Sequence, residues 1–343
     1  MQAAYLTGHG GNDVVAIGER PEPQRRPGEV LVRLRAATLN RVDLYMRNSG
    51  AGITHTLPQI MGVDGAGVVE EVDADDPVLK PGMRVLLYPG VTCGRCEFCQ
   101  RGNGVLCTSM KLLGEHRDGT FAQYVALPAA NALPIPESLD FAEAAALGVN
   151  HLTAWRMLVT QARLQPWETV LIFGIGGGVS LAGLQIARMI GARIIVTSRV
   201  ESKLKRALQM GADAAVNSRT EEVAKRVLAL TGGRGVDVVL ENVGAAAWPA
   251  ALKSLVRGGR IVTCGATSGD QPGADLRRVF IRQLQIYGST LGDLSELRDL
   301  LAVCERGRLK PQIESRWPLA RLHAALDRLE AAEQFGKIAI EID

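Results

Sequence analysis

The sequence predicts a two-domain α/β protein in which a mostly β segment precedes a doubly wound parallel sheet. Three observations predict it. The chain has 343 residues, more than one domain usually holds and ample for two buried cores. From about Pro166 short apolar runs alternate with helical patterns, the rhythm of a parallel sheet with crossover helices. The first 130 residues instead read as short strands broken by Pro and Gly.

The elements follow in order. Glu29–Arg35 alternates apolar and charged residues, as a half-buried strand does, after punctuation by Pro21, Pro23, Pro27 and Gly28. Gly62–Val69 leads into a second strand, which the Pro81-Gly82 turn separates from a third at Met83–Leu87. Six β runs then follow: Thr169–Phe173, Arg193–Thr197, Ala214–Val216, Val236–Leu240, Arg260–Cys264 and Leu284–Tyr287. Helical patterns cover Val179–Ile190, Ser202–Met210, Glu221–Leu230 and Ala245–Val256. Gly191, Gly211 and Gly258 stand after three of them as C-terminal stops. Six runs joined by helices fit a nucleotide-binding sheet. Residues 131–291 are assigned to that domain. Residues 1–130 form the other domain, and 292–343, with a helical stretch and the apolar Ile338–Ile342, are expected to return and complete it.

Composition excludes several classes. Net charge is only +3, and the 39 basic residues are scattered among 36 acidic ones, which argues against a nucleic-acid partner. No apolar run approaches the ~18 residues of a membrane span. The start, Met1 to Tyr5, lacks the basic and apolar regions of a signal peptide. A cytoplasmic protein is expected.

After Val170–Phe173 comes Gly174-Ile175-Gly176-Gly177-Gly178-Val179-Ser180, then a helix. Glycines permit a tight strand-to-helix turn and close approach by a pyrophosphate, which the helix N-terminus would bind. An ordinary tight turn is the plainer alternative; the surrounding β–α–β pattern favours the dinucleotide. An NAD site usually places Asp or Glu at the end of the second strand. Here stand Ser198 and Arg199, followed by Lys203 and Lys205, which suit a 2′-phosphate. NADPH is the expected cofactor.

Four of the six cysteines, Cys93, Cys96, Cys99 and Cys107, fall close together, while Cys264 and Cys304 stand apart. Four thiolates at this spacing can close a tetrahedral zinc site with no open position, which makes the site structural. An iron–sulfur cluster and free thiols are the alternatives. No Cys-Pro follows the run, as it does in a bacterial ferredoxin.

These motifs, with Gly119–Val125 and the spacing between them, resemble the zinc-type alcohol dehydrogenases of the medium-chain dehydrogenase/reductase superfamily over essentially the whole chain. The resemblance implies a GroES-like catalytic domain, a Rossmann domain, and a cleft between them for nicotinamide and substrate. It also implies a catalytic zinc on Cys, on the His of Gly-His-Glu, and on a later Cys or Asp. Those positions read Asn40, Val63 (in Gly62-Val63-Asp64) and Val149. Valine offers no donor, so a catalytic zinc is not expected. The substitutions look like the NADPH-dependent quinone oxidoreductase branch, whose Asn-x-x-Asp-x-Tyr pattern matches Asn40, Asp43 and Tyr45. That branch usually lacks the cysteine lobe, and Ser180 replaces the last glycine of the family's turn.

Without a Lewis acid, oxyanion charge must be held by hydrogen-bond donors. A delocalised enolate or hydroquinone anion suits this better than an alkoxide, so a quinone or α,β-unsaturated carbonyl is the expected substrate. Asn40 and Tyr45 are therefore the candidate substrate-positioning donors, with Tyr45 relaying the proton directly or through water; Asp43 is a catalytic candidate, with a neighbouring backbone or Arg partner as the plainer alternative. By the resemblance, Thr153 stands where related enzymes touch nicotinamide and Arg282 reaches the cofactor. His116 and His151 are weaker acid/base candidates. The family's dimer edge matches Leu284–Thr290, so a homodimer or homotetramer is expected. Two alternatives stay open: a zinc-dependent alcohol dehydrogenase with Asp43, Asp64 and His151 as ligands, and a non-catalytic NADPH-binding protein.

Overall fold

The computed structural model describes residues 1–53 and 55–343, and the chain divides into two compact units. The first comprises Met1–Asn150 and Asp293–Asp343, the second His151–Gly292. The boundary expected near residue 130 therefore lies between Asn150 and His151. Local pairing moves it. Ala132–Pro134 is a strand antiparallel to Arg84–Leu87. The helix Phe141–Ala145 buries Ala142 against Ala36 and Ala339, and Ala144 and Ala145 against Ala66. These contacts belong to the first unit.

The centre of that unit is the strand Glu29–Thr38, in which Val30, Val32 and Leu34 are fully buried on alternate positions. It pairs antiparallel with Asp64–Glu71 and with Lys337–Glu341, so Thr38 faces Asp64 on one side and Ala339 on the other. The C-terminal segment thus completes the sheet, and Leu39 N–H donates to Ile338 O at 2.9 Å. Phe121, Leu127, Leu322, Leu326 and Ile340 fill the core beside it. Three chemically distinct residues, Thr38, Asp64 and Lys337, are brought together by this register.

The second unit is a six-stranded parallel sheet of Thr169–Ile172, Arg193–Ser198, Ala214–Asn217, Val236–Glu241, Leu255–Thr263 and Gln285–Gly288. Numbered in chain order, the strands lie 3-2-1-4-5-6, the doubly wound arrangement. The first and fourth are buried along their whole length, which is why they read as unbroken apolar runs rather than alternating ones.

One helix departs from expectation. The pattern over 245–256 yields only Trp248–Ser254, started by Pro249 in its first turn, and the next strand begins at Leu255. Gly258 is therefore no helix stop. It sits at φ 71° within that strand, where the register against Val236–Glu241 slips between Val236 and Val238. Gly191 and Gly211, at φ 94° and 100°, do follow helices as expected. Among the described residues no helix is long and apolar enough to cross a membrane.

Candidate active site

The glycine turn of the second unit is built for close approach. Gly174 and Gly176 take φ 66° and 110°, which side-chain-bearing residues resist. A Cβ on Gly176 would come within 2.7 Å of Lys203 Cδ, so the Lys203 side chain already lies across the turn. Ile175 N–H donates to Thr197 O at 2.8 Å, which ties the turn to the second strand. The helix Gly178–Ile190 begins after Gly177 with no side-chain cap, and Val179 lies in its first turn. Its leading N–H groups suit a phosphate. Ser180, where the family's turn has glycine, is fully buried; its Oγ donates to Phe173 O at 2.7 Å and accepts from Asn242 Nδ2 at 2.8 Å. The hydroxyl pins helix to strand from behind the turn.

Ser198 ends the second strand, and its Oγ accepts from Val200 N–H at 3.2 Å. Arg199 is exposed. Arg282 is half-buried at the end of the helix Leu276–Arg282; burial and the nearby Arg278 and Arg257 lower its pKa. Thr153 is buried in the short helix Leu152–Trp155, and His151 Nε2 meets Gln185 Oε1 at 2.9 Å. The turn and its uncapped helix fit a dinucleotide.

In the first unit the sulfurs of Cys93, Cys96, Cys99 and Cys107 lie within 4.8 Å of one another. Among the described residues they are the one such group able to hold a metal. Backbone N–H groups solvate the thiolates: that of Cys99 holds the Cys96 thiol down at about 6, and that of Arg95 lowers Cys93. Cys99 is pushed up to about 11 by burial and neighbouring thiols. A divalent cation would relieve that crowding, so the donor set fits zinc. Cys264 and Cys304 lie outside the group, each thiol raised to about 12, chiefly by burial.

A buried polar network occupies the neighbourhood of Asn40. Asn40 follows the Glu29–Thr38 strand and precedes the helix Arg41–Ser49. Its backbone N–H donates to Asp43 Oδ2 at 2.7 Å. Its side-chain amide donates to Thr38 O at 3.0 Å and Asp64 Oδ2 at 2.9 Å. Its Oδ1 accepts from Asn150 Nδ2 at 2.9 Å and Lys337 Nζ at 2.8 Å. Asp64 Oδ1 also accepts from Thr38 N–H and Oγ1. Burial pushes the Asp43 carboxyl up to about 8, with the Asp64 charge adding, and burial lowers Lys337. Asn40, expected to offer a donor to substrate, thus has both amide protons committed to protein acceptors. Tyr45, on the same helix, is 39% exposed.

The comparisons with known proteins complete the picture. Residues 26–137 match the family model described as alcohol dehydrogenase GroES-like domain, and 178–306 the one described as zinc-binding dehydrogenase. An alcohol dehydrogenase of Geobacillus stearothermophilus is 32% identical over 95% of this chain and 96% of its own. The chain belongs to the zinc-type alcohol dehydrogenase family of medium-chain dehydrogenases/reductases. It is therefore an enzyme, an oxidoreductase of that family. Among solved structures, an NAD-dependent alcohol dehydrogenase is 41% identical, with a TM-score of 0.96 and complete coverage of both chains. A cobalt- and zinc-bound thermostable alcohol dehydrogenase from Pyrobaculum aerophilum is 31% identical, with a TM-score of 0.90, covering 100% of this chain and 99% of that one.

Sequence reasoning missed Lys337, Thr38 and Asn150, all central to the network. The only hint of Lys337 was a single charge before the apolar Ile338–Ile342. Its partners lie nearly three hundred residues away and converge only through strand pairing.

Proposed function

We propose that this enzyme is an NADPH-dependent reductase that works without a catalytic zinc, acts on a quinone or α,β-unsaturated carbonyl, and carries one structural zinc on its four-cysteine lobe. The observation that carries the reading is the saturation of Asn40. At the position that resembles the family's first metal ligand stands an amide whose donors and acceptor are all occupied, and Val63 supplies no replacement. The buried Lys337 ammonium already satisfies Asp64 and Asn40 there.

Bound NADPH supplies a hydride. The residues of the chain orient and exclude: the glycine turn and uncapped helix take the pyrophosphate, and Ser198, Arg199 and Lys203 take the 2′-phosphate side of the ribose. The Tyr45 hydroxyl donates a hydrogen bond to the developing oxyanion. Asn40 and Asp43 act behind it as positioning groups, and Thr153 and Arg282 border the cofactor. The protein works in the cytoplasm as a homodimer or homotetramer formed along the Leu284–Thr290 edge.

A second reading has its own support. Similar proteins at 31–41% identity are named alcohol dehydrogenases, one of them NAD-dependent. One experiment separates the two: oxidation of NADPH and of NADH is followed with p-benzoquinone, crotonaldehyde and simple aldehydes, alongside zinc stoichiometry. Preference for NADPH with the first two acceptors and one zinc per chain supports the proposal. Faster NADH use confined to alcohols and aldehydes, or two zincs per chain, overturns it.

A further inference from the structure

Glu115 lies on the tight loop after the strand Lys111–Leu112, and that loop is clamped to the backbone of Gly62, next to Val63. A Cβ on Gly114 would come within 2.4 Å of Gly62 O, and one on Gly119 within 2.3 Å of it. Thr120 N–H donates to Gly62 O at 3.0 Å, and Gly114 N–H to Arg117 O at 2.8 Å. The loop is therefore held firmly, and it seats a carboxyl beside the segment that resembles the family's Gly-His-Glu.

Glu115 is 7% exposed. The other buried carboxylates of this unit accept protein donors: Asp43 from Asn40 N–H, Asp64 from Thr38 and Asn40, Asp293 from Val105 N–H, and Glu296 from Asp293 N–H. Among the described residues no donor reaches the Glu115 carboxylate, yet its oxygens are not among the sealed partnerless atoms, so they open onto solvent-accessible space. A carboxyl so placed gains nothing for stability by being charged.

We infer that Glu115 is the proton donor of this active site, delivering to the reduced substrate the proton that a zinc-bound water network would otherwise manage. This rests on the reductase reading above. In the step, the Glu115 O–H bond breaks and a C–H or O–H bond forms on the substrate enolate, whose electron pair takes the proton. Glu115 undergoes no redox change; the two electrons arrive with the hydride. Water then returns a proton to the carboxylate through the opening its oxygens face.

The surrounding charges agree with a held proton. Burial pushes Glu115 up to about 7, and it in turn raises Asp43 on the helix Arg41–Ser49. On its own loop, His116 Nδ1 accepts from Leu112 N–H, Arg117 pairs with Glu29, and Asp118 accepts from Ile60 N–H. Asp64 and Lys337 answer each other within the Asn40 network.

The test uses the full-length protein with two readouts. Carbon-13 NMR of glutamate carboxyls, wild type against Glu115→Gln, is expected to show a group titrating near neutrality that the variant lacks. A missing group that titrates in the ordinary glutamate range overturns the inference, and this arm needs no substrate. With NADPH and crotonaldehyde, Glu115→Gln is expected to lose on the order of 100-fold in kcat and the basic limb of the pH profile, and Glu115→Asp to retain both in part. An unchanged profile in Glu115→Gln overturns it. If the wild type proves instead to oxidise alcohols with NAD, the reductase reading fails by itself. Glu115 is then judged by the titration and by the same variants in that reaction, where it would accept the alcohol proton.

Discussion

Replacing Lys337 by Met removes a charge at the centre of the first unit while keeping much of the side-chain volume. The ammonium is buried and meets three acceptors: Leu39 O and Asn40 Oδ1, each at 2.8 Å, and Asp64 Oδ2 at 3.5 Å. Removing one partner of a buried pair usually costs about 3–5 kcal/mol, because the other charge is left uncompensated. Asp64 keeps three donors, from Thr38 N–H, Thr38 Oγ1 and Asn40 Nδ2, so the loss should fall near the lower end, about 3 kcal/mol. Adding Asp64→Asn removes the stranded charge. The double variant should therefore be more stable than the sum of the singles by about 1–2 kcal/mol. Urea unfolding, read through hydrogen exchange of the Lys337–Glu341 amides, reports on this unit alone. A Lys337→Met loss under about 1 kcal/mol, or strict additivity in the cycle, would refute the account of the network.

Four further outcomes follow from the same structure. Folding holds a proton on Asp43, raised from 3.8 to about 8, so the wild type loses stability as pH rises between those values. Asp43→Asn should abolish that slope and gain on the wild type up to about pH 8, with a ceiling of roughly 6 kcal/mol, as denaturation at a series of pH values would show. Cys107→Ser should release the zinc and open the lobe to trypsin at Arg95 or Arg101; full zinc content with an unchanged digest contradicts the site. Arg199→Ala should lower kcat/KM for NADPH by about 10–100-fold and leave NADH use alone, whereas equal losses would remove Arg199 from cofactor choice. Ser180→Gly deletes two hydrogen bonds in the first turn of a helix and should cost about 1–2 kcal/mol in urea unfolding.

The second unit was legible because its signals are local. The first and fourth parallel strands announce themselves as apolar runs, and Gly174 and Gly176 stand where the backbone turns through positive φ. The error at Gly258 shows the limit: a glycine before a strand looks like a helix stop until the neighbouring strand imposes a bulge. The cysteine lobe was legible for the same reason, its four thiols lying in one short stretch.

The surroundings of Asn40 were less legible. Residue type alone raises only the expectation that Asn40 and Val63 hold no metal. What Asn40 does instead depends on Asn150 and Lys337, which reach it from distant parts of the chain. Glu115 gave no signal at all. A lone glutamate in a polar loop reads as a solvated charge, and only the close contact of Gly114 with Gly62 reveals the loop's fixed place.

The two-domain α/β class, the glycine turn and the cluster of four thiols could thus be read from the chain, because each is written in local spacing. Only the folded chain shows which polar groups are buried together and in which direction burial moves their pKa. Burial and strand register, unlike motif spacing, are properties of residues far apart in sequence. They bury Lys337 beside Asn40 and Asp64, make Asn40 a saturated bridge, and leave the Glu115 carboxyl with no donor among the described residues.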